Sequence, residues 1–248
     1  MKMKLGFPIL LGIFLGISPI MGQIRLKPHA GLLFPGMGDV NAKIENDIIS
    51  FRQITGEPIP SPGTIGRNKF FGVQVEYQIE EDYFASLNVG YYSDAAEVDY
   101  SATAGLRFHY LREVQLFDFM LNLHYYFNYS TWKRVNTYLG MGVGLSVANA
   151  RSETFSNFGD ELAQVDSRGD FAGNSLSALL GAGVDVRLSQ AFSLWGELGL
   201  QYGNMGQLDG SVTTKDHPEK RDTVSQSSFD FTGIYVRAGL GVLLPFLK

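Results

Sequence analysis

The sequence predicts an all-β protein, an eight-stranded antiparallel up-and-down β-barrel that crosses a membrane. Short periplasmic turns are expected at one end and long extracellular loops at the other. Three observations carry this. Apolar residues alternate with polar or small ones at period two through most of the chain, the pattern of strands with two unlike faces. The connections alternate short and long, as they do in barrels of the outer-membrane kind. The face opposite the apolar one is rich in glycine and serine, which suits the crowded interior of a small barrel.

The chain opens with Lys2 and Lys4, followed by the apolar run GFPILLGIFLGISPIMG. This reads as a secretory signal peptide, expected over residues 1–22 with cleavage after Gly22. The barrel domain is expected over 23–248. A membrane anchor is the alternative, but Pro8 and Pro19 interrupt a run that is barely long enough to span.

The first strand, 24–34, sets Ile24, Leu26, Ala30, Leu32 and Phe34 against Arg25, Lys27 and His29. The next two form a hairpin. Phe71, Val73, Val75, Tyr77 and Ile79 oppose Gln74, Glu76 and Gln78. Glu80, Glu81 and Asp82 then turn the chain, and Tyr83, Ala85, Leu87, Val89 and Tyr91 resume the apolar face. Further strands are expected over 115–127, 134–147, 175–188, 191–203 and 230–246. Long loops are expected over about 35–69, 93–114, 148–174 and 204–229. The first of these contains NAKIENDIISFRQITG, expected to form a short helix after Asn41.

Bulk properties narrow the functional classes. The chain has 248 residues and a net charge of −5, with no cluster of Lys and Arg, which argues against nucleic acid as a partner. It has no cysteine. Disulfides, thiolate zinc sites and cysteine nucleophiles are therefore excluded.

A soluble barrel would also alternate, with its apolar face inward. The small-residue content of the polar face favours the membrane form, and so do the aromatics. Phe34, Phe71, Tyr91, Phe117 and Tyr202 lie near the long-loop ends of the strands. Tyr77, Tyr83, Tyr125, Phe127, Phe192 and Phe246 lie near the short-turn ends. Two such sets are the girdles of a membrane barrel. The charged residues Arg25, Lys27, Glu76, Asp118, Asp185, Arg187, Glu197 and Arg237 then point inward. They are expected to form an interior polar network, because buried charges require partners. Tyr92, Tyr126, Tyr138, Trp195 and Tyr235 share that face, so a wide pore is not expected.

Three stretches, YLREVQLFDFMLNLHYYF (110–127), NTYLGMGVGLSV (136–147) and LLGAGVDVRLSQAFSLWGELGLQYG (179–203), resemble the porin-family outer-membrane β-barrel proteins common in Bacteroidota. Those are similar to small barrels of the outer-membrane protein A type. The resemblance implies a transmembrane protein of the bacterial outer membrane, open to the cell surface. It implies outer-membrane lipid and, during biogenesis, the barrel-assembly machinery as partners. The terminal strand TGIYVRAGLGVLLPFLK resembles the signal that machinery reads, except that Leu247 and Lys248 follow Phe246. No peptidoglycan-binding domain is expected after the barrel.

Catalytic and metal chemistry find little purchase. His124 and Asp118 share the inner face but stand about 20 Å apart along the strand. His109 lies beside Arg107 and Glu113, and His217 lies in the mixed-charge stretch KDHPEKRD. No serine sits in a recognisable nucleophile motif. Asp160, Glu161, Asp166 and Asp170 lack the spacing of a calcium loop, and GMGVG and GAGV precede no helix. No catalytic, cofactor or metal residue is assigned, and no cofactor is expected. The expected role is structural, or interaction with a surface ligand or protein through the long loops. A narrow channel, or an accessory part of a secretion or uptake complex, is the alternative.

Overall fold

The computed structural model describes residues 23–66, 68–102, 105–127, 129–130, 134–157, 165–214 and 217–244. The expected signal peptide and residues 245–248 lie outside that set. The elements are β1 (Ile24–Pro35), α1 (Gly38–Thr55), β2 (Asn68–Gln78), β3 (Tyr83–Ser101), β4 (Arg107–Tyr126), β5 (Val135–Asn157), β6 (Val165–Arg187), β7 (Phe192–Thr214), β8 (His217–Asp230) and β9 (Gly233–Leu244). Each strand pairs antiparallel with its neighbour in sequence through β7, and β1 closes the ring against β9. β8 and β9 are two parts of the eighth barrel strand. β9 pairs with the first half of β7, from Phe192↔Val242 to Gln201↔Gly233. β8 pairs with the rest, from Asn204↔Asp230 onward. The break falls at Phe231 and Thr232, where the Phe231 N–H still donates to the Gly203 carbonyl at 2.7 Å.

The strands run well past their expected ends. Residues 93–114, 148–174 and 204–229, expected as loops, are mostly strand. The hairpins β3–β4, β5–β6 and β7–β8 simply continue upward. What changes along them is polarity. On the outer face of β3, Tyr83, Ala85, Leu87, Val89 and Tyr91 give way to Ser93, Glu97 and Asp99. On its inner face Ser86 and Asn88 give way to Tyr92, Ala96 and Val98, all buried. β4 inverts between Phe117 and Gln115, and its inner face then carries Leu116, Val114, Tyr110 and Phe108. β5 inverts between Val147 and Asn149. Below the inversion the barrel is apolar outside and polar inside; above it the reverse holds, as in a water-soluble sheet.

The apolar belt beneath is continuous. Val73, Phe119, Leu121, Leu139, Met141, Val143, Leu180, Leu198, Leu200 and Val236 are all exposed on it. Ring pairs edge it. Tyr91 meets Phe117 at 4.8 Å on the upper rim, and Tyr83 meets Tyr125 at 5.1 Å on the lower.

Above the belt the ring is open among the described residues. β1 ends at Pro35 and the β2–β3 ladder ends at Lys69↔Ser93, so the upper parts of β3 and β8 flank a gap. α1 and the segment after it fill this gap. Val40, Ile44 and Ile48 recur four residues apart and form one buried stripe. They pack with Leu33, Phe108, Tyr110, Val114, Phe171 and Phe229 in a single apolar cluster. The Phe51 ring packs tilted against Phe108, with centroids 4.8 Å apart. Asp47 accepts from the Tyr110 hydroxyl at 3.1 Å and from Arg112 at 3.3 Å. Burial pushes the Tyr110 phenol up to about 12.

The helix stops at Gly56, whose φ of +70° is the left-handed cap conformation and whose N–H donates to the Arg52 carbonyl. Arg52 then ties the departing chain by donating to the Ile59 carbonyl at 2.6 Å and to the Ser61 hydroxyl at 3.0 Å. Gly56→Ala should cost about 1 kcal/mol, because an L side chain is strained at that φ. Hydrogen exchange should show faster opening of the last turn of α1 and unchanged protection in β4.

Candidate functional site

The barrel interior below the inversion is a charged layer built by alternation. Every second residue of the contributing strands points into a ring too narrow for water to fill. β1 supplies Arg25 and Lys27, β2 supplies Glu76, and β4 supplies His124 and Tyr126. Tyr138 comes from β5, Asp185 from β6, Trp195 and Glu197 from β7, and Tyr235 and Arg237 from β9. All are buried, and Lys27, Glu76 and His124 are 0 % exposed.

Glu76 is the hub. Its Oε2 lies 3.1 Å from Arg25 Nε and 3.0 Å from Lys27 Nζ. Its Oε1 accepts from the Tyr126 hydroxyl at 3.3 Å and faces His124 Nδ1 at 3.2 Å. Asp185 reaches the same two bases from across the barrel, 3.1 Å from Arg25 and 3.5 Å from Lys27. Glu197 forms the second centre. It lies 2.7 Å from Arg237 Nη2, accepts from Tyr138 at 2.9 Å and from Tyr235, and stands 4.0 Å from His124 Nε2. Three bases thus meet three acids, with His124 between the two centres. Arg25 also lies over the Phe84 ring at 4.3 Å, and Lys27 is 5.2 Å from Trp195. Such a layer is tolerable only because every charge is matched.

The large rings fit because glycine faces them. Gly183 pairs directly with Tyr138, and Gly199 with Tyr235. A Cβ at either glycine would collide with the tyrosine ring opposite.

Two residues expected in this network sit elsewhere. Asp118 lies one layer higher, where it accepts from Gln201 at 2.8 Å and from the Ser146 hydroxyl. Tyr92 extends that chain by donating to Gln201 at 3.2 Å. No salt bridge to Asp118 forms among the described residues. Arg187 is half-buried at the short-turn rim and donates to the Tyr129 hydroxyl at 3.2 Å. Conversely, His124, Tyr126, Tyr138 and Tyr235 are full members of the charged layer. The only signal for them in the sequence is that they share its parity. Of the acids set aside for lacking the spacing of a calcium loop, Asp166 and Asp170 lie on β6, and Asp160 and Glu161 fall outside the described residues.

An apolar belt with aromatic rims, a matched-charge interior and a closed ring of eight strands are together the anatomy of a barrel that lives in lipid. Residues 63–203 match the family described as outer membrane protein beta-barrel domain. The chain belongs to this family. As an outer membrane protein beta-barrel it resides in the bacterial outer membrane. Solved structures of the same fold include a major outer membrane protein from Thermus thermophilus. It is 15% identical, with 89% of this chain and 99% of that chain covered and a TM-score of 0.52. The outer membrane protein OprG from Pseudomonas aeruginosa is 12% identical, with 91% and 97% covered and a TM-score of 0.49. At such identities the likeness concerns the fold. No curated protein matches the chain.

Proposed function

We propose that this outer-membrane barrel is a sealed, non-catalytic protein that acts through the sheet it raises outside the membrane, as a structural or surface-interaction module. The observation that carries the reading is closure of the interior at two levels. The charged layer leaves Lys27, Glu76 and His124 no contact with solvent. Above it, α1 lays Val40, Ile44 and Ile48 into the apolar cluster of the upper wall. What remains accessible is the outer surface of six paired strands, β3 to β8, together with α1. Binding roles concentrate on such exposed segments. His124, held between Glu76 and Glu197, has no route to a substrate, which supports a role without catalysis.

On this reading the partners are outer-membrane lipid, the barrel-assembly machinery during biogenesis, and a surface ligand or protein. The strand motifs 110–127, 136–147 and 179–203 support the further reading of the chain as a Bacteroidota porin-family barrel. Planar-bilayer recording of the folded barrel is the test. The expected record is free of reproducible single-channel steps. Steady unitary conductance would instead support the narrow channel or transport accessory. Turnover of lipid A or peptide by the folded barrel would overturn the non-catalytic part.

A further inference from the structure

We propose that the outer face of the β3–β4 hairpin, above the membrane belt, binds a divalent first-row transition-metal ion of the zinc or copper kind through Glu97, Asp99 and His109. This site is separate from the interior layer and independent of whether the barrel conducts.

The antiparallel register assembles the three residues. Asp99 and His109 are direct cross-strand partners, and partners across a ladder bring their side chains close together. Glu97 is two residues before Asp99, so it leaves the strand on the same face. Each of the three offers a ligand atom, and these atoms lie within 4.8 Å of one another. His109 Nδ1 is already 2.7 Å from Asp99 Oδ1, so the carboxylate holds the ring toward the cluster. Metal–nitrogen and metal–oxygen bonds of about 2.0–2.2 Å place ligand atoms about 3–4 Å apart, a gap that small rotations of these side chains close. Glu97 and Asp99 are exposed and His109 partly so, so an ion can enter from outside the cell without opening the barrel.

The donor set selects the ion. One imidazole and two carboxylates, with no thiolate anywhere in a chain that lacks cysteine, suit zinc or copper over soft univalent ions. The imidazole also favours them over calcium or magnesium, which take oxygen alone. Two carboxylates supply the charge to match a divalent cation. The hairpin adds stiffness: β3 and β4 stay paired in register from Tyr83↔Tyr125 to Ser101↔Arg107, so the ligands stand on strands rather than on a loop. Of the other histidines, His29 and His124 are buried inside the barrel, away from an ion arriving from outside.

The experiment is isothermal titration of the tag-free, folded full-length chain in detergent micelles with zinc chloride. The wild type should bind one equivalent. His109→Ala should weaken binding at least ten-fold, and the double variant Glu97→Gln, Asp99→Asn should do the same while keeping the imidazole. Folding of each variant is checked by its heat-modifiable mobility on gels. If one variant fails to fold, the other still decides the matter. No zinc binding by the wild type would overturn the site. Binding unchanged by His109→Ala would also overturn it, and so would binding lost with His109→Ala yet untouched by the carboxylate variant, which marks a lone surface imidazole.

Discussion

Glu76→Gln should lower the stability of the folded barrel by about 3–5 kcal/mol. Glu76 is fully buried and is the shared partner of Arg25, Lys27, His124 and Tyr126. The amide is close in shape to the carboxylate, so packing is preserved and the charge alone is removed. Asp185 is then left to balance both Arg25 and Lys27. An unmatched positive charge inside the ring has no water to turn to, and its cost is that of a buried ion without a counter-ion. Adding Lys27→Met to Glu76→Gln restores neutrality with a side chain of similar length. The double variant should recover more than half of the loss, a coupling expected of groups in one network. Equilibrium urea unfolding in micelles measures both, with Trp195, 3 % exposed beside this layer, as the fluorescent reporter. A loss below about 1 kcal/mol for the single variant would mean that the layer reorganises or takes up water, contrary to the matched-charge account.

Leu121→Arg should cost about 2–4 kcal/mol, whereas Gln115→Arg on the same outer face of the same strand should change stability by less than about 0.5 kcal/mol. Leu121 is 43 % exposed in the middle of the apolar belt. Its arginine would stand in hydrocarbon. Gln115 lies just past the point at which β4 inverts, beside Glu113, to which it donates at 2.8 Å. Its arginine would stand in water near a carboxylate. The pair tests where the membrane ends without any assumption about the interior. Folding into lipid vesicles, followed by urea titration, gives both numbers. Equal costs at the two positions would show that the polarity inversion does not mark the membrane boundary.

That boundary is also where reading the sequence by alternation loses the strands. The pattern follows outward apolar residues: Tyr83 to Tyr91 in β3, Phe117 to Tyr125 in β4. Above the belt the alternation persists with the opposite sense, apolar inward at Ala96, Val98, Phe108 and Tyr110. A rule that demands one sense of alternation ends the strand where the solvent changes, although the backbone ladder does not end there. The helix in the first long connection was legible from its residues, yet it begins at Gly38 rather than after Asn41. The stripe of Val40, Ile44 and Ile48 that starts it is only meaningful against the inward face of β4, β6 and β8.

By itself the sequence determined the fold class, the belt, the membership of the inner face and the setting in the outer membrane. These depend on period-two alternation and on what each face can tolerate, both local properties of a strand. Only the tertiary structure decided which charge meets which. Arg25 and Glu76 are neighbours on adjacent strands, as are Glu197 and Arg237. The contacts that join them into one layer, Arg25 and Lys27 to Asp185 and His124 to Glu197, cross the ring. Alternation says which way a side chain points. Which residues share a height across the barrel depends on the tilt and stagger at which the sheet closes, a property of all eight strands together. Closure likewise lifted Asp118 out of the charged layer and left a gap above the belt for α1.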